Sequence, residues 1–427
     1  MNVEITRLSN GLTIVTDPMP ELASAALGVW VDAGARGETR AQMGVSHMIE
    51  HMAFKGTRRR SARGLAEEIE AVGGFLNAYT SREQTAFHAR VLQDDVALAL
   101  DILADILIEP AFEQAELERE RQVVLQELGQ ARDTPDDIVF DHLQAVVYPD
   151  QPMGWSILGD EKTVGAFSRE DLFAYMGAQY RAGGMTLIAS GAVEHAQMVR
   201  IAEEKFAALK LGAPPAPLAA HYVGGDRRET DELEQAHIAF AFPGVSNLDP
   251  DFFVAQVYAM ALGGGMSSRL FQEVREKRGL CYTISAFTQS AKDEGIIGIY
   301  TGTSEADAAQ IGAVVAGEMA ELAETATDAE VSRAKAQMKS GLLMGLERPS
   351  ARAEMIAGHM FNFGRTLSVA ELAQKLDAVD ASAVRSFGAR VMTGRPSIAT
   401  VGPAGRLEPF EIFAGRFGVS PTLRAAE

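Results

Sequence analysis

The first half of the chain alternates between segments with strand-like and segments with helix-like spacing of apolar residues. Residues 3–16 alternate apolar and polar positions on either side of Ser9-Asn10-Gly11, which predicts a β-hairpin. Residues 25–31 are strongly apolar and predict a buried strand, whereas the apolar positions of residues 94–107 fall on one side of a helix. The remaining predicted strands are 75–80, 85–92 and 185–190, and the remaining predicted helices are 64–72, 113–132, 138–147, 168–180 and 194–209.

The second half repeats this order of strands and helices. Residues 237–242 correspond to the strand at 25–31, and the strands at 282–289 and 295–302 correspond to the pair within 75–92. Duplicated units of this length indicate two domains rather than a solenoid, whose period is far shorter. Strands in consecutive pairs, with helices gathered between them, favour an α+β fold in which helices cover a mostly antiparallel sheet. The further correspondences are 328–346 with 113–132 and 397–402 with 185–190.

A proline-rich segment, residues 211–225, divides the chain nearly in half. Its three prolines predict an extended, semi-rigid linker. At 427 residues the chain exceeds the length that one hydrophobic core usually serves. We therefore expect an N-terminal domain at residues 1–210 and a homologous C-terminal domain at residues 226–427.

The charge of the chain excludes one class of function. A net charge of −19 argues against a nucleic-acid-binding protein, whose binding surface should be basic. The acidity would suit cationic peptide substrates if it lines a cavity. A generally acidic surface is the alternative, and composition alone does not separate the two.

The compartment is predicted from the cysteine count and the absence of apolar segments. Cys281 is the single cysteine, so no intrachain disulfide can form and a reducing compartment is expected. The N-terminal residues lack the apolar core of a signal peptide. No stretch approaches the roughly 18 uncharged apolar residues of a transmembrane helix. We expect a cytoplasmic protein that does not enter a membrane.

Candidate chemistry is concentrated in His47-Met48-Ile49-Glu50-His51. On a helix with about 3.6 residues per turn, the two histidines and the glutamate share one face. Two imidazoles on one face can bind one divalent ion, for which Zn²⁺ is suited, and a carboxylate beside bound water can act as a general base. The pattern H-x-x-E-H is the inverzincin signature. The alternative is a helix face whose histidines occupy salt-bridged or core positions.

The longer run His47-Met-Ile-Glu-His-Met-Ala-Phe-Lys-Gly-Thr57 resembles the active-site helix of the M16 metallopeptidases, in particular the mitochondrial processing peptidase β-subunit and its small bacterial relatives. The resemblance implies the M16 fold and peptidase activity with one Zn²⁺ per chain. His47 and His51 would be two of the metal ligands, and Glu127, 76 residues after His51, would be the third. Glu120 corresponds to the family's second acidic residue, one heptad earlier.

The predicted helix at residues 113–132 is compatible with these roles. Glu120 and Glu127 are seven residues apart, so they face the same way on a helix. Glu127 could bind the metal while Glu120 hydrogen-bonds a ligand histidine and fixes its tautomer. The alternative for Glu120 is an ordinary solvated glutamate in a charged helix.

The resemblance also implies residues that contact the substrate. Residues 75–80 match the family's edge strand, on which a peptide adds by backbone pairing, and Asn77 and Ala78 would contact substrate near the metal. A plain sheet strand is the alternative. Arg275 and Tyr282 match a pair that reaches the metal site from the second domain, where the guanidinium can bind a substrate carbonyl or carboxylate and the phenol can donate to a developing oxyanion. A salt-bridged helix end with a core tyrosine is the alternative for this pair.

These features predict a zinc-dependent endopeptidase in which Glu50 takes a proton from water and delivers it to the leaving amine. Family members enclose a chamber between four domains. This arrangement implies a homodimer whose active site is completed in trans, and peptide substrates that are short or unfolded and basic. The alternatives are a non-catalytic structural or partner subunit of an M16-type complex, and a peptidase active only as half of a heterodimer. Retention of the full set of motif residues favours the active peptidase.

Overall fold

The N-terminal half folds into six strands and eight helices, most of them at the predicted positions. The computed structural model describes residues 2–418. The strands of this half are β1 (Glu4–Arg7), β2 (Thr13–Pro18), β3 (Ser24–Val31), β4 (Phe75–Thr80), β5 (Thr85–Leu92) and β6 (Met185–Gly191). The helices are α1 (Val45–Ala53), α2 (Ala62–Ala71), α3 (Val96–Ile108), α4 (Gln114–Arg132), α5 (Pro135–Val147), α6 (Glu161–Ala166), α7 (Arg169–Gln179) and α8 (His195–Lys205).

The C-terminal half contains five strands and seven α-helices within the described residues, together with a π-helical segment at Phe271–Lys277. The strands are β7 (Asp226–Glu229), β8 (Ala236–Pro243), β9 (Cys281–Ser290), β10 (Gly295–Thr303) and β11 (Ser397–Val401). The helices are α9 (Phe252–Gly263), α10 (Glu305–Thr325), α11 (Asp328–Gly345), α12 (Pro349–Phe363), α13 (Val369–Asp377), α14 (Ala381–Val391) and α15 (Phe410–Gly415). Among residues 2–418, none of the helices combines the length and the apolar character that a membrane span requires.

The two sheets share one topology, which confirms the predicted duplication. The first sheet has the order β1-β2-β6-β3-β5-β4, and the second has the order β7-β11-β8-β10-β9. In each sheet one pair is parallel, β2 with β6 and β7 with β11, and the other pairs are antiparallel. The mostly antiparallel α+β fold expected from paired strands is therefore observed twice. The first sheet carries one additional edge strand, β1.

The compact units of the structure differ from the two contiguous halves expected from the linker. Each half contributes one segment to the other unit: residues 130–154 belong to unit 2, and residues 343–368 belong to unit 1. These segments contain α5 and α12. Each sheet has one face covered by helices of its own half and a second face covered by the exchanged helix. A helical pattern of apolar residues predicts that a helix packs on a sheet, but it does not identify the sheet.

Helix α12 covers the face of the first sheet that points away from α1. Alternate residues of β3 point to opposite faces, so Trp30 packs with Ala353 and Ile356 of α12, while Val29 and Val31 face the larger core. The indole nitrogen of Trp30 also donates to Oε2 of Glu354 at 3.3 Å. In unit 2, α5 packs through its apolar residues on β8 and β11 in the same way.

A buried carboxylate fixes the N-terminus of α1. Gly44 is the N-cap residue and has a φ of +93°, and a Cβ at this position would lie 2.7 Å from Cα of Gly159. Glycine fits this position but has no side chain to cap the helix. Glu38 replaces that cap, because its two carboxylate oxygens accept hydrogen bonds from the backbone nitrogens of Gly44 and Ser46, each at 2.8 Å. The Ser46 hydroxyl donates in turn to the buried phenol oxygen of Tyr175.

We predict that Glu38→Gln lowers the free energy of unfolding of unit 1 by roughly 1–3 kcal/mol near pH 5. Both oxygens of the carboxyl group accept hydrogen bonds from backbone N–H groups, whereas the amide NH₂ of glutamine cannot accept one and would face a backbone N–H donor. Burial raises the pKa of Glu38 from its ordinary value of 4.5 to about 7, against the hydrogen bonds from Ser46 and Gly44. A raised folded-state pKa favours the folded state below pH 4.5, and this contribution is lost as the pH rises through 7. The difference between wild type and variant should therefore shrink with rising pH.

Tryptophan fluorescence during urea unfolding, with a chelator present, measures this difference. Trp30 and Trp155 both lie in unit 1, so the signal reports that unit. Glu67→Gln, an exposed substitution on α2, is the matched control and should give no such trend. A difference for Glu38→Gln that stays constant from pH 5 to pH 8 would contradict the raised pKa.

Candidate metal centre

Helix α1 presents two histidines on one face and buries the opposite face in the core. Met48, Ile49 and Met52 are fully buried among the apolar residues of unit 1. The rings of His47 and His51 are one turn apart, with their centroids separated by 4.6 Å. His47 is buried and His51 is half-buried, so the pair lies at the edge of the core rather than within it. The shared face predicted from the spacing of the motif is therefore observed.

Helix α4 places Glu127 opposite this pair. Oε2 of Glu127 lies 3.5 Å from Nε2 of His47 and 3.4 Å from Nε2 of His51. Zn²⁺ binds nitrogen and oxygen ligands at about 2.0–2.2 Å in a tetrahedron, which separates neighbouring ligand atoms by about 3.3–3.5 Å. The donor set and both distances fit this ion. Within residues 2–418, these three residues form the group of histidine, cysteine and acidic side chains whose ligand atoms lie close enough together to hold a metal ion.

Glu120 makes the predicted contact with a ligand histidine. Its Oε2 lies 3.1 Å from Nδ1 of His51, and its Oε1 lies 2.6 Å from Nζ of Lys55. A carboxylate only accepts hydrogen bonds, so this contact places the ring proton of His51 on Nδ1 and directs the lone pair of Nε2 towards Glu127. Glu120 is only 5% exposed, which rules out the alternative of a solvated glutamate. Its effect on metal binding stays a prediction.

Burial keeps His47 in the form that a metal ligand needs. Desolvation, with a smaller contribution from neighbouring His51, lowers the pKa of His47 to about 4. The imidazole is therefore neutral near pH 7, with a lone pair available to an ion. Nδ1 of His47 is buried and has no hydrogen-bond partner among the described residues, so the two ligand histidines are held differently.

Glu50 lies on α1 between the two histidines and is half-buried. Burial raises the pKa of its carboxyl group, while Thr80 and His51 oppose the rise. A carboxyl group whose pKa moves towards neutrality is a better proton acceptor and donor near pH 7. Thr80 is the last residue of β4, so the end of this strand lies beside Glu50.

Strand β4 is an edge strand, as expected: within residues 2–418 it pairs with β5 on one side and with no strand on the other. Asn77 is exposed on this strand and Ala78 is buried. The backbone N–H of Ala78 donates to Oδ1 of Asn77 at 2.9 Å. A peptide that pairs with this N–H would have to displace the Asn77 side chain from it. Contact of either residue with a substrate stays a prediction.

Arg275 and Tyr282 lie in unit 2 and contact each other. The guanidinium of Arg275 lies over the rings of Phe271 and Tyr282, at 4.6 Å and 5.2 Å from their centroids. Tyr282 is 79% exposed, so the alternative of a core tyrosine is wrong. Arg275 belongs to the π-helical segment, and Tyr282 is the second residue of β9. Their function at a metal site stays a prediction.

The sequence predicts no role for two residues that contact this centre or its helix, Lys55 and Glu38. Lys55 follows His51 by four residues, and this helical spacing could have predicted that its side chain lies on the ligand face. Glu38 has no such signal, because its contact with the start of α1 depends on the loop between β3 and that helix.

Two family models match successive parts of the chain. Residues 13–161 match the model described as Insulinase (Peptidase family M16), and residues 166–338 match the model described as Peptidase M16 inactive domain. The first match contains the three candidate metal ligands, and the second contains Arg275 and Tyr282.

Individual relatives match nearly the full chain. A protein from Rickettsia felis named as an uncharacterized zinc protease is 36% identical, over 94% of this chain and 98% of the relative. A probable mitochondrial-processing peptidase subunit beta from Arabidopsis thaliana is 37% identical, over 96% of this chain and 80% of the relative. The crystal structure of a protease from Helicobacter pylori has the same fold, with a TM-score of 0.86 and 20% identity over 94% of this chain and all of that chain. Identity of this extent places the chain in the M16 family of zinc proteases.

Proposed function

We propose that this chain is a zinc-dependent endopeptidase that binds one Zn²⁺ through His47, His51 and Glu127. The observation that carries the proposal is the convergence of two histidines and Glu127, in which each Nε2 atom lies at tetrahedral ligand spacing from Oε2 of Glu127. Two histidines and one carboxylate are a ligand set of catalytic zinc sites, which leave a coordination position open. When bound, Zn²⁺ would supply Lewis-acid chemistry, by polarising a carbonyl and acidifying water.

Glu50 is the general base in this proposal. It takes a proton from the attacking water and later delivers it to the leaving amine. Its raised pKa suits both steps, because the same carboxyl group must gain and then release a proton near neutral pH. Tyr282 would donate a hydrogen bond to the developing oxyanion, and Arg275 would bind a substrate carbonyl or carboxylate.

The edge strand β4 binds the substrate in this proposal. Its free edge offers backbone groups to an extended peptide, and its last residue lies beside Glu50. Backbone pairing at Asn77 and Ala78 would bring the scissile bond near the metal while tolerating varied side chains. The net charge of −19 favours basic peptides, and an enclosed chamber would favour short or unfolded ones.

A non-catalytic subunit of an M16-type complex is the rival function. The chain retains both histidines and Glu127 in converging positions, and it retains Glu50 between the two histidines. A subunit freed from catalysis would be expected to lose such residues. The name of the Arabidopsis relative describes a subunit, so activity that requires a second, related chain is the other rival.

We predict that the purified protein contains close to one zinc per chain by elemental analysis, and that a chelator abolishes its hydrolysis of peptides. Glu127→Gln should lose the zinc, because the substitution removes the one anionic donor of the set. Glu50→Gln is the matched control on α1: it should retain zinc while hydrolysis falls by roughly 10²–10⁴-fold.

The other outcomes of this experiment would indicate a rival function or a different general base. Wild-type protein that binds no zinc even after resupply would indicate the non-catalytic subunit. Zinc without hydrolysis would indicate that a partner chain is missing. A Glu50→Gln variant that keeps both zinc and turnover would show that another group is the base.

The substrate proposal predicts selectivity for unfolded chains. A basic disulfide-bonded protein should be cleaved much faster after reduction and alkylation than in its native form, since only an extended chain can pair with β4. Mass spectrometry of time courses measures both rates, and an acidic peptide of matched length tests the charge preference. Equal rates for the folded and unfolded forms would refute the enclosed chamber.

The dimer proposal predicts complementation between two inactive variants. The His51→Ala and Arg275→Ala chains carry different tags and are purified as the mixed dimer. In this dimer, one site combines the intact metal ligands of one chain with the intact Arg275 and Tyr282 of the other. A mixed dimer should therefore recover about half of the wild-type activity, while each variant alone stays inactive. Mixed dimers without activity would count against a site completed in trans.

A further inference from the structure

A lysine at the end of the metal helix contacts the carboxylate that orients a ligand histidine. Lys55 lies two residues beyond the last residue of α1, and its ammonium group is 2.6 Å from Oε1 of Glu120. The other oxygen of Glu120 contacts Nδ1 of His51 at 3.1 Å. Nε2 of the same ring faces Glu127. A continuous chain of polar contacts therefore runs from Lys55 through Glu120 and His51 to the metal position.

Glu120 needs this lysine because it is buried. The side chain of Glu120 is 7% exposed, and Lys55 and His51 are the ion-pair partners observed for it within residues 2–418. A buried carboxylate that loses one of its partners is left with uncompensated charge, which is strongly unfavourable. Neighbouring cations on α4 do not replace Lys55. Arg119 pairs with Glu116, and Arg121 donates to the carbonyl oxygens of Val164 and Phe167.

Lys55 lies in the turn that follows α1, where its backbone N–H donates to the carbonyl oxygen of Met52 at 3.2 Å. From this turn its ammonium group reaches Glu120 of α4. Gly56 then takes a φ of +113°, which turns the chain away. The last turn of α1 thus supplies His51, and the turn that follows the helix supplies the counter-charge of the carboxylate that contacts His51.

We propose that Lys55 is a positioning residue of the metal centre. It does not touch the metal position. It holds one oxygen of Glu120, so that the other oxygen accepts from His51 and the Nε2 lone pair points at the metal position. This inference rests on the proposed zinc site.

The test measures zinc affinity by competition with a chelator, together with the visible spectrum of the Co²⁺-substituted protein. Lys55→Met keeps the length and apolar stem of the side chain and removes the charge. We expect it to weaken zinc binding roughly tenfold and to change the Co²⁺ spectrum, as substitutions behind metal ligands do. Lys55→Arg, which retains the charge, should restore much of the affinity.

A double-variant comparison separates this role from general destabilisation. If Lys55 acts through Glu120, Lys55→Met should change little in a Glu120→Gln background. Lys277→Met is the matched control, because Lys277 forms a similar pair with Glu273 in unit 2 and should leave zinc affinity unchanged. Tryptophan fluorescence checks that unit 1 is folded in every variant.

The possible outcomes distinguish this inference from the proposed function. Wild-type protein that binds no zinc would remove the metal site, and the inference with it. Wild-type protein that binds zinc, with Lys55→Met binding equally well and giving the same Co²⁺ spectrum, would overturn the inference alone. So would equal weakening by Lys55→Met in the wild-type and Glu120→Gln backgrounds.

Discussion

The metal centre depends on the fixed position of one nine-residue helix, α1. Glu38 binds the backbone at its start, and Glu120 binds His51 in its last turn. The apolar side of the helix is buried in the core between these two ends. A helix held at both ends and along one side has little freedom to rotate, so its two ring nitrogens stay at the spacing that one small ion needs.

Helix α4 completes the centre with two acidic residues in different surroundings. Glu127, one heptad after Glu120, is partly exposed and faces both histidines. Glu120 is buried and contacts one of them. Burial and charge pairing thus give different surroundings to a candidate metal ligand and to the residue that contacts a candidate ligand, although the two side chains are chemically identical. The histidines differ in a similar way, because Nδ1 of His51 contacts a carboxylate, whereas Nδ1 of His47 has no hydrogen-bond partner among the described residues.

Features that depend on neighbouring residues could be predicted from the sequence, whereas features that depend on packing between distant segments could not. The bounds of β4 and β5 coincide with the predicted strands, and the spacing of His47 and His51 was enough to place both on one face. Glu127 was assigned through family resemblance, because its position depends on how α4 packs against α1. The contact of Glu38 with α1 is not predictable for the same kind of reason, since a loop brings this residue to the helix.

The exchange of α5 and α12 between the compact units bears on the order in which the chain can fold during synthesis. The strands of the first sheet are complete once β6 has been made, but one face stays uncovered until α12 emerges much later. Trp30 and the other apolar residues of that face remain open to water or to other chains during this interval. The first compact unit can therefore be completed only after α12 has left the ribosome, and not when synthesis of its own half ends.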